Sequence, residues 1–566
     1  MIGAKNETID QKLIRRWGSL KNERSSWLSH WQDISRYIMP RMGRFLTDDT
    51  NKGNVKTNLI YDNTATRAAR VLAAGMLGGM SSPARPWFRL TTGDTELDEF
   101  QSVKRWLADV TLRMQRMFSG SNTYRALHTI YLDLGLFGTA AATVLDDFED
   151  GICIYNHSVG EYALACDYKG RVNTIYREFK KTTEQMVSEF GYDRVSTHVQ
   201  NLYNEGDLDA WHKVIHAVEP RSARDPRSLT AQNMPFASTY IELGTDARAG
   251  KVLRESGFRR FRTLAPRWTV EPQDIYGGSC GMDVLGDVKQ LQHEQLRKSQ
   301  GIDYQTKPPL AVPTMLKSAG VDLLPGGVTY VDSVGQGQAV RSLFEAPIRL
   351  DYLLEDIRDV RERINAGFYA DLFLMLSQND TRMTATEVAE RHEEKLLMLG
   401  PVLERLHNEL LDPLIEIAFE RLLEMGEVPP APPEMEGRTL SVEFVSLLAQ
   451  AQRAVGTNSI DRFVLGIMGV AQARPDVLDK FDTDQWADVY ADSLGIDPSL
   501  VRGDDEVAAI REQRAAAEQA AVAQEQAAQA ADTAATLGSI DTSQPNALND
   551  ILGNLTGYVS PASYRY

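Results

Sequence analysis

The second half of the chain is organised by the helical spacing of its apolar residues. Between residues 347 and 370 apolar side chains recur every three or four positions, and charged residues occupy the other faces. Pro347 stands where a first-turn proline costs nothing. A second run of this spacing starts at Thr384, which forms a capping-box sequence with Glu387, and it continues to Met425. The pattern therefore predicts two long helices.

The second of these helices would be about 63 Å long if it were unbroken. Pro401 and Pro413 lie inside it, and each removes a backbone donor and clashes with the preceding turn. We therefore expect kinks at both prolines. A kinked helix of this length does not fit inside one compact domain, so the pattern indicates an elongated molecule.

Helical spacing also dominates the N-terminal part of the chain. It predicts helices over residues 9–39, 65–80, 99–118 and 123–137. Pro40 ends the first helix, and either Asp62 or Asn63 is expected to cap the second. The second helix is rich in small residues that permit close backbone packing, namely Ala73, Ala74, Gly75, Gly78 and Gly79.

Between residues 140 and 270 the pattern changes to short β-branched and aromatic runs separated by turn residues. The runs cover residues 142–145, 152–155, 162–166, 172–179, 213–218, 239–243, 251–253 and 261–269. We expect an antiparallel β-region with one inserted helix near residues 183–190.

A helix follows from residue 282 to about 303, and short strands are then expected over residues 307–344. The order helix, β-rich tip, helix predicts a thin two-helix stalk with a compact tip. Beyond Met425 come a stiff proline-rich linker (428–433), a helical module (446–500), an Ala/Gln/Glu-rich helix (504–535) and a polar tail that we expect to be disordered until bound.

The composition is that of an ordinary globular protein, with 43% hydrophobic and 25% charged residues among 566. Length alone would allow three or four domains. The first residues contain no hydrophobic signal region, and three cysteines do not suffice for a disulfide framework, so a reducing cytosol is expected. The net charge of -17 argues against tight binding of nucleic acid, but not against a protein past which DNA slides.

The strongest enzymatic motif is Gly277-Gly-Ser-Cys-Gly281, which matches the G-x-S-x-G nucleophile elbow. The residues before it make a poor buried strand, and the later histidines His293, His392 and His407 lie in predicted helices rather than loops. We favour a glycine-rich turn before a helix. A serine hydrolase using Ser279 is the alternative function.

No cofactor or metal site is expected. Cys153, His157 and Cys166 lack a C-x-x-C pair and a fourth ligand at useful spacing, so buried structural cysteines are the favoured interpretation. The chain contains no P-loop sequence, and Gly335-Gln-Gly lacks the third glycine of a dinucleotide-binding loop.

Several stretches resemble the portal proteins of short-tailed, T7-like bacteriophages, also called head-to-tail connectors. They are Trp31 with Tyr37 and Pro40, Tyr61-Asp-Asn-Thr-Ala, Gly138-Thr139, Tyr276-Gly, the Pro308-Pro309 and Pro325-Gly-Gly region, and above all the run that starts at Leu72 and ends in Ser-Pro-Ala-Arg-Pro-Trp-Phe at residue 88. The resemblance covers nearly the whole chain in order.

The resemblance implies an elongated, mainly helical α+β subunit of a non-enzymatic ring of twelve copies. It assigns residues 1–281 to a wing, 282–304 and 347–371 to two stem helices, 305–346 to a clip, 372–383 to a tunnel loop, 384–427 to a long kinked wing helix, 428–503 to a crown, 504–537 to a C-terminal barrel helix and 538–566 to a disordered tail. The ring would stand at one capsid vertex of the virion, after assembly in the host cytoplasm.

The family also implies a path for double-stranded DNA through the ring. The channel loop would present Ser377, Gln378, Asn379, Asp380, Thr381 and Arg382 to the DNA. From the first stem helix, Lys289, Arg297 and Lys298 could face DNA, or they could form ion pairs between subunits, which we favour slightly. Further implied partners are the terminase large subunit, tail adaptor proteins, the major capsid and scaffolding proteins, and internal core or ejection proteins. A cytoplasmic helical scaffold that binds no DNA is a third interpretation.

Overall fold

The fold is α+β, as predicted. A computed structural model describes residues 8–45, 59–98, 100–225, 227–228, 230–244, 250–306, 310–311, 341–342, 350–377, 399–435, 440–445, 463–464, 466–468, 474, 481–487 and 504–538. Among these residues no helix is both long and apolar enough to cross a membrane.

The N-terminal part is helical, as its spacing predicts. Its elements are α1 (Ile9–Tyr37), α2 (Thr64–Met80), β1 (Phe88–Thr91), α3 (Thr95–Asp98), α4 (Gln101–Gly120) and α5 (Thr123–Phe137). Trp31 of α1 is fully buried and its indole N–H donates to the Phe137 carbonyl at 3.0 Å. A Cβ at Gly135 would lie 2.5 Å from Leu72, so α2 and α5 pack closely at their small residues.

The predicted antiparallel β-region is confirmed. Its elements are β2 (Ala141–Asp146), β3 (Ile152–His157), β4 (Tyr162–Cys166), β5 (Val172–Thr182), α6 (Thr183–Phe190), α7 (Thr197–Glu205), β6 (Trp211–Pro220), β7 (Phe236–Leu243), β8 (Gly250–Phe258) and β9 (Thr263–Leu264). The strands form a three-stranded sheet in the order β3-β2-β9 and a five-stranded sheet in the order β4-β5-β6-β7-β8.

Two details of this region differ from the prediction. A second helix, α7, follows α6; it is short and polar, buries only Val199, and is capped by the Ser196 hydroxyl, so its apolar spacing is too weak to detect. The strand predicted over residues 261–269 is confined to Thr263–Leu264, because Pro266 has no N–H to donate to a continuing ladder.

The two long helices predicted on either side of the tip are present with their flanking elements. They are α8 (Cys280–Asp283), α9 (Leu285–Thr306), β10 (Leu310–Ala311), β11 (Arg341–Ser342), α10 (Leu350–Gly367) and α11 (Ala370–Ser377). Strands β10 and β11 pair antiparallel between the two long helices. The other residues of the predicted tip, and Pro347, lie outside the described residues.

The prediction of a loop beginning at residue 372 is wrong for its first half. Residues 372–377 belong to α11, because Leu372 and Phe373 are buried and Phe373 lies against Gly75 of α2. Tyr369, at a φ of 52°, separates α11 from α10. Burial of apolar side chains therefore keeps the chain helical beyond residue 370, where the helical spacing of apolar residues stops.

The long helix contains an irregular turn just before Pro413, where a kink was predicted. Its backbone is helical from residue 399, passes through a π-helical turn (His407–Leu411), and continues as α12 (Asp412–Met425). Pro413 has no N–H to donate, and its ring crowds the carbonyl four residues earlier. The hydrogen bonds just before it therefore span five residues instead of four, as in the bond from the Asp412 N–H to the His407 carbonyl. Thr384, Glu387 and the rest of residues 378–398 lie outside the described residues, so the predicted kink at Pro401 stays a prediction.

The π-helical turn carries a buried ion pair that ties the long helix to the β-region. Arg267, 3% exposed, donates from Nη2 to Glu409 Oε1 at 2.6 Å and from Nε to Oε2 at 3.2 Å. Its remaining N–H groups contact backbone carbonyls, including that of Gly170 at 2.8 Å. A fully satisfied arginine of this kind fixes the two elements in one arrangement.

The C-terminal part contributes β12 (Ser441–Phe444) and α13 (Asp504–Gly538). Strand β12 pairs with β1, with Phe88 opposite Phe444, so the chain beyond the proline-rich linker returns to the N-terminal helices. Most of the predicted module over residues 446–500 and the tail beyond residue 538 lie outside the described residues.

Candidate DNA-channel stem

Helices α9 and α10 pack side by side in opposite directions. Asp287, near the start of α9, lies 3.4 Å from Arg363, near the end of α10. Further along, the Glu294 carboxyl of α9 lies beside Asp356 of α10. The apolar residues that predicted the helices form their covered sides: Val288, Leu291, Ile357, Val360 and Ile364 are all buried.

Asp62, in the turn before α2, contacts both stem helices. Its side chain is 6% exposed, and Arg361 of α10 donates to its Oδ2 at 2.7 and 3.1 Å. Gln295 of α9 donates to the same oxygen at 3.1 Å. Gln292 of α9 accepts from the N–H groups of Tyr61 and Asp62 and donates to the Asp62 carbonyl. The turn therefore holds α9, at Gln292 and Gln295, and α10, at Arg361, against the start of α2.

Of the two expected caps of α2, Asp62 is the one that binds the helix start. Its Oδ1 accepts from the Thr64 N–H at 2.8 Å and from the Thr64 hydroxyl at 2.6 Å, whereas Asn63 makes no side-chain capping bond. Burial raises the pKa of Asp62, but hydrogen bonds from Thr64 and Arg361 outweigh it, and the net shift of the pKa is downward. The ionised carboxylate is thus the stable form at the junction.

A second carboxyl, Glu294, is 8% exposed between the two stem helices. Burial raises its pKa, and although Gln290 donates to its Oε1 at 2.7 Å, the neighbouring Asp356 raises the pKa further. The sequence pattern gave no sign of this buried acid, since Glu294 stands in an otherwise ordinary polar position of the helix.

The three stem bases occupy different environments. Lys289 binds within its own subunit: its Nζ lies 2.7 Å from Asp33 Oδ2 of α1 and 5.3 Å from the centre of the Tyr37 ring. Arg297 is exposed and Lys298 half-buried, and neither forms an ion pair with another residue that the structure describes. Contact of these bases with DNA, or with a neighbouring subunit, stays a prediction.

The predicted channel loop departs from the end of α11. Ser377 is the last residue of that helix, and Gln378, Asn379, Asp380, Thr381 and Arg382 lie outside the described residues. A Cβ at Gly75 would lie 2.2 Å from Phe373 Cγ, so the missing side chain is what lets α11 seat on α2. The helix from which the predicted loop departs is therefore fixed to α2.

Ser279 has a structural role that accounts for its motif. Its hydroxyl donates to the Leu136 carbonyl at 2.7 Å and accepts from the Met282 N–H at 3.1 Å, capping α8. No described histidine hydrogen-bonds to it, and His407 instead stacks on Phe444 with 4.0 Å between ring centres. Nothing in this geometry supports a serine hydrolase.

The expectation of buried cysteines is wrong for Cys153 and Cys166, which are only partly buried, whereas His157 is buried. His157 Nε2 lies 2.7 Å from the Thr143 hydroxyl, and Cys166 lies 3.7 Å from Arg267 Nη1. Among the described residues no group of three or more histidine, cysteine or acidic side chains could hold a metal ion.

The comparisons with known proteins agree on one family. The model of the bacteriophage head to tail connecting proteins matches residues 10–501. A probable portal protein of Bordetella phage BPP-1 is 57% identical over 98% of this chain and 99% of its own length. The portal protein of Salmonella phage epsilon15 is 43% identical over 96% of this chain and 98% of its own length.

Among solved structures, a chain from the neck of an empty gene transfer agent (GTA) particle computed with C6 symmetry matches 76% of this chain and 88% of its own, at 9% identity and a TM-score of 0.32. That likeness is too weak to carry an argument. The sequence matches span nearly the full length, as the resemblance of the Ser-Pro-Ala-Arg-Pro-Trp-Phe stretch led us to expect. The chain therefore belongs to the bacteriophage head-to-tail connecting proteins, the portal proteins, which are structural components of phage particles and not enzymes.

Proposed function

We propose that twelve copies of this chain form a ring at one vertex of the capsid, and that double-stranded DNA enters and leaves the head through its central channel. The observation that carries this proposal is the 57% identity to a probable portal protein over 98% of the chain. The ring is assembled in the host cytoplasm and becomes part of the virion.

The two antiparallel helices α9 and α10 are the proposed wall of the channel, and residues 305–346 between them are the proposed clip. The clip would dock the terminase large subunit during packaging and a tail adaptor afterwards. The wing, residues 1–281 with the long helix 384–427, would face the major capsid and scaffolding proteins. The crown (428–503) and barrel helix (504–537) would meet internal core or ejection proteins.

DNA would pass a channel that touches it without holding it. Every phosphate neutralised by a lysine or arginine releases counterions and strengthens binding, which would slow transit. The net charge of -17 and the pairing of Lys289 with Asp33 both favour weak contact. The loop Ser377–Arg382, with one acid and one base, would guide the DNA.

A complementation assay tests this function. A phage lacking its own copy of the gene is supplied with the parent chain or with a chain from which residues 377–382 are deleted. DNase-protected genome per head is then measured. We expect the parent to restore full heads, and the deletion to assemble rings while leaving heads that fail to fill or to retain DNA.

A deletion variant that forms no ring would show that the loop is a structural element. Full packaging by a head that lacks this chain altogether would contradict the proposed function itself. As a control for the loss of six residues, a variant in which residues 377–382 are replaced by Gly and Ser keeps the chain length.

A further inference from the structure

One face of α9 is left uncovered by its own subunit. One side of the helix packs on α10 through Asp287, a second on the turn before α2 through Gln292, and a third on α1 through Lys289. The remaining side shows exposed or glycine positions at intervals of three and four residues, the spacing of one helix face. This α9 face consists of Gly286, Gln290, His293, Arg297, Gln300 and Tyr304.

The α9 face is basic. Its six residues include Arg297 and His293 and no acid, although the exposed Asp303 lies beside its tip end. The Arg297 guanidinium forms no ion pair with any residue that the structure describes, although α9 has acids on its other sides. An exposed arginine without a partner on an acid-free face is available for an acidic surface.

Helix α10 presents an uncovered face of the opposite charge. At the same spacing its exposed residues form an α10 face of Tyr352, Glu355, Asp359, Glu362 and Ala366. Glu355 and Glu362 have no ion pair among the described residues, and Asp359 has only its i,i+4 neighbour Arg363, at 3.2 Å. Three of these five residues are acids and none is a base, although the exposed Arg358 and Arg363 lie at the edges of the face. The α10 face is therefore a counterpart for a basic one.

The two faces match in height as well as in charge. The contacts Asp287–Arg363 and Glu294–Asp356 place residues 293 and 297 at about the heights of residues 357 and 353. Glu355 thus lies midway in height between His293 and Arg297, and Asp359 lies about 3 Å from the height of His293. Tyr304 and Tyr352 both stand at the tip end of the stem, 59% and 66% exposed. The α9 face spans about 27 Å and the α10 face about 21 Å.

Within one subunit these faces do not meet, because α9 and α10 contact each other through different sides. Two complementary surfaces on different helices of one chain are what a head-to-tail, heterologous interface requires, and repetition of such an interface closes a ring. Rotation about the ring axis preserves height along that axis, so stem helices that run along the axis keep level groups level between neighbours.

We propose that the α9 face of each copy packs against the α10 face of the next, with Arg297 and His293 opposite Glu355 and Asp359. The occupant of each face is a second copy of this chain. This inference rests on the proposed ring and adds the surface that closes it. It assigns Arg297 to the neighbouring subunit rather than to DNA.

Charge reversal on each face separately provides the test. One variant carries His293→Glu with Arg297→Glu, and the other carries Glu355→Lys with Asp359→Lys. Each face is then repelled by its unchanged counterpart, so each variant alone should fail to form the ring that the parent forms at the same concentration. Mixed in equal amounts, the two variants should form rings, because every interface is complementary when they alternate.

Native mass spectrometry reads the result, since an alternating ring contains the two variants in equal numbers. A Glu149→Lys with Glu205→Lys control makes the same change of charge as the Glu355→Lys with Asp359→Lys variant, at exposed wing positions, and should assemble as the parent does. The proposed pairing would be overturned if either variant alone formed normal rings, or if the mixture of the two folded variants formed none. Neither result would contradict the ring itself. Failure of the parent to form a ring would instead overturn the proposed function.

Discussion

At the scale of single residues, buried charges hold elements together that are far apart along the chain. Arg267 and Glu409 join the β-region to the long helix, and Asp62 joins α2 to both stem helices. Neither arrangement was predictable, because each partner is far away along the chain and an isolated acid or arginine has no periodic pattern. Only the local part of the Asp62 role, the cap of α2, could be predicted from Tyr61-Asp-Asn-Thr.

Removing one member of the buried pair is expected to be costly. Glu409→Ala would leave Arg267, 3% exposed, without its carboxylate, and breaking a buried pair in this way costs about 3–5 kcal/mol. Urea unfolding followed by tryptophan fluorescence measures the change. The matched control is Glu416→Ala, which removes an exposed acid of the same long helix. Glu416 pairs with Arg260, and their side chains are 57% and 54% exposed. Its loss should change the free energy of unfolding by less than about 1 kcal/mol. Equal losses from both variants would contradict this account of Arg267.

Two buried histidines predict a pH dependence. Burial holds the pKa of His157 and of His216 well below 6.5, and the Arg177 guanidinium lowers both pKa values further, with Arg254 also acting on His216. The unfolded chain therefore takes up protons below about pH 6.5 that the folded chain does not, so the free energy of unfolding falls as the pH falls through that range.

The variant His216→Gln isolates this effect. Glutamine can still hydrogen-bond to the Ser238 hydroxyl, which lies 2.9 Å from His216 Nε2, but it does not titrate. The slope of the unfolding free energy between pH 5 and 6.5 should decrease by up to about 1.4 kcal/mol per pH unit. An unchanged slope would show that His216 is protonated in the folded state.

At the scale of elements, local spacing was a good guide and long-range pairing was not. The helices α1, α2, α4 and α5 lie within a few residues of their predicted bounds, because each has a continuous apolar face. The pairing of β1 with β12 joins residues 88 and 444, and no local signal connects them. Helix α11 was missed because its eight residues are almost uniformly apolar and therefore show no helical period.

The contact between α11 and α2 gives a prediction about the base of the channel loop. Gly75→Ala places a Cβ 2.2 Å from Phe373 Cγ, and crowding of this kind costs about 1–3 kcal/mol and displaces α11. Gly78→Ala on the same helix meets nothing within 4 Å and is expected to be neutral or to stabilise by up to about 1 kcal/mol. Thermal unfolding of the two variants compares them, and a stabilising Gly75→Ala would contradict the seating of α11 on α2.

At the scale of the whole molecule, the described fold combines helices, antiparallel sheets and the antiparallel helix pair α9 and α10. The sequence predicted this order of elements, and the family assignment rests on matches across nearly the full chain. A single subunit leaves much of the stem uncovered, including tyrosines 59% and 66% exposed at the tip end of its helices. A ring covers such surfaces, because each subunit meets a neighbour on both sides.

The most direct measurement of the central claim is the mass of the assembled protein by native mass spectrometry, followed by electron microscopy of the same sample. Twelve copies of the 63.2 kDa chain give about 760 kDa. The account predicts a species of that mass with cyclic symmetry and an open central channel. A chain that stays monomeric at every concentration, or an assembled particle without a channel, would contradict it.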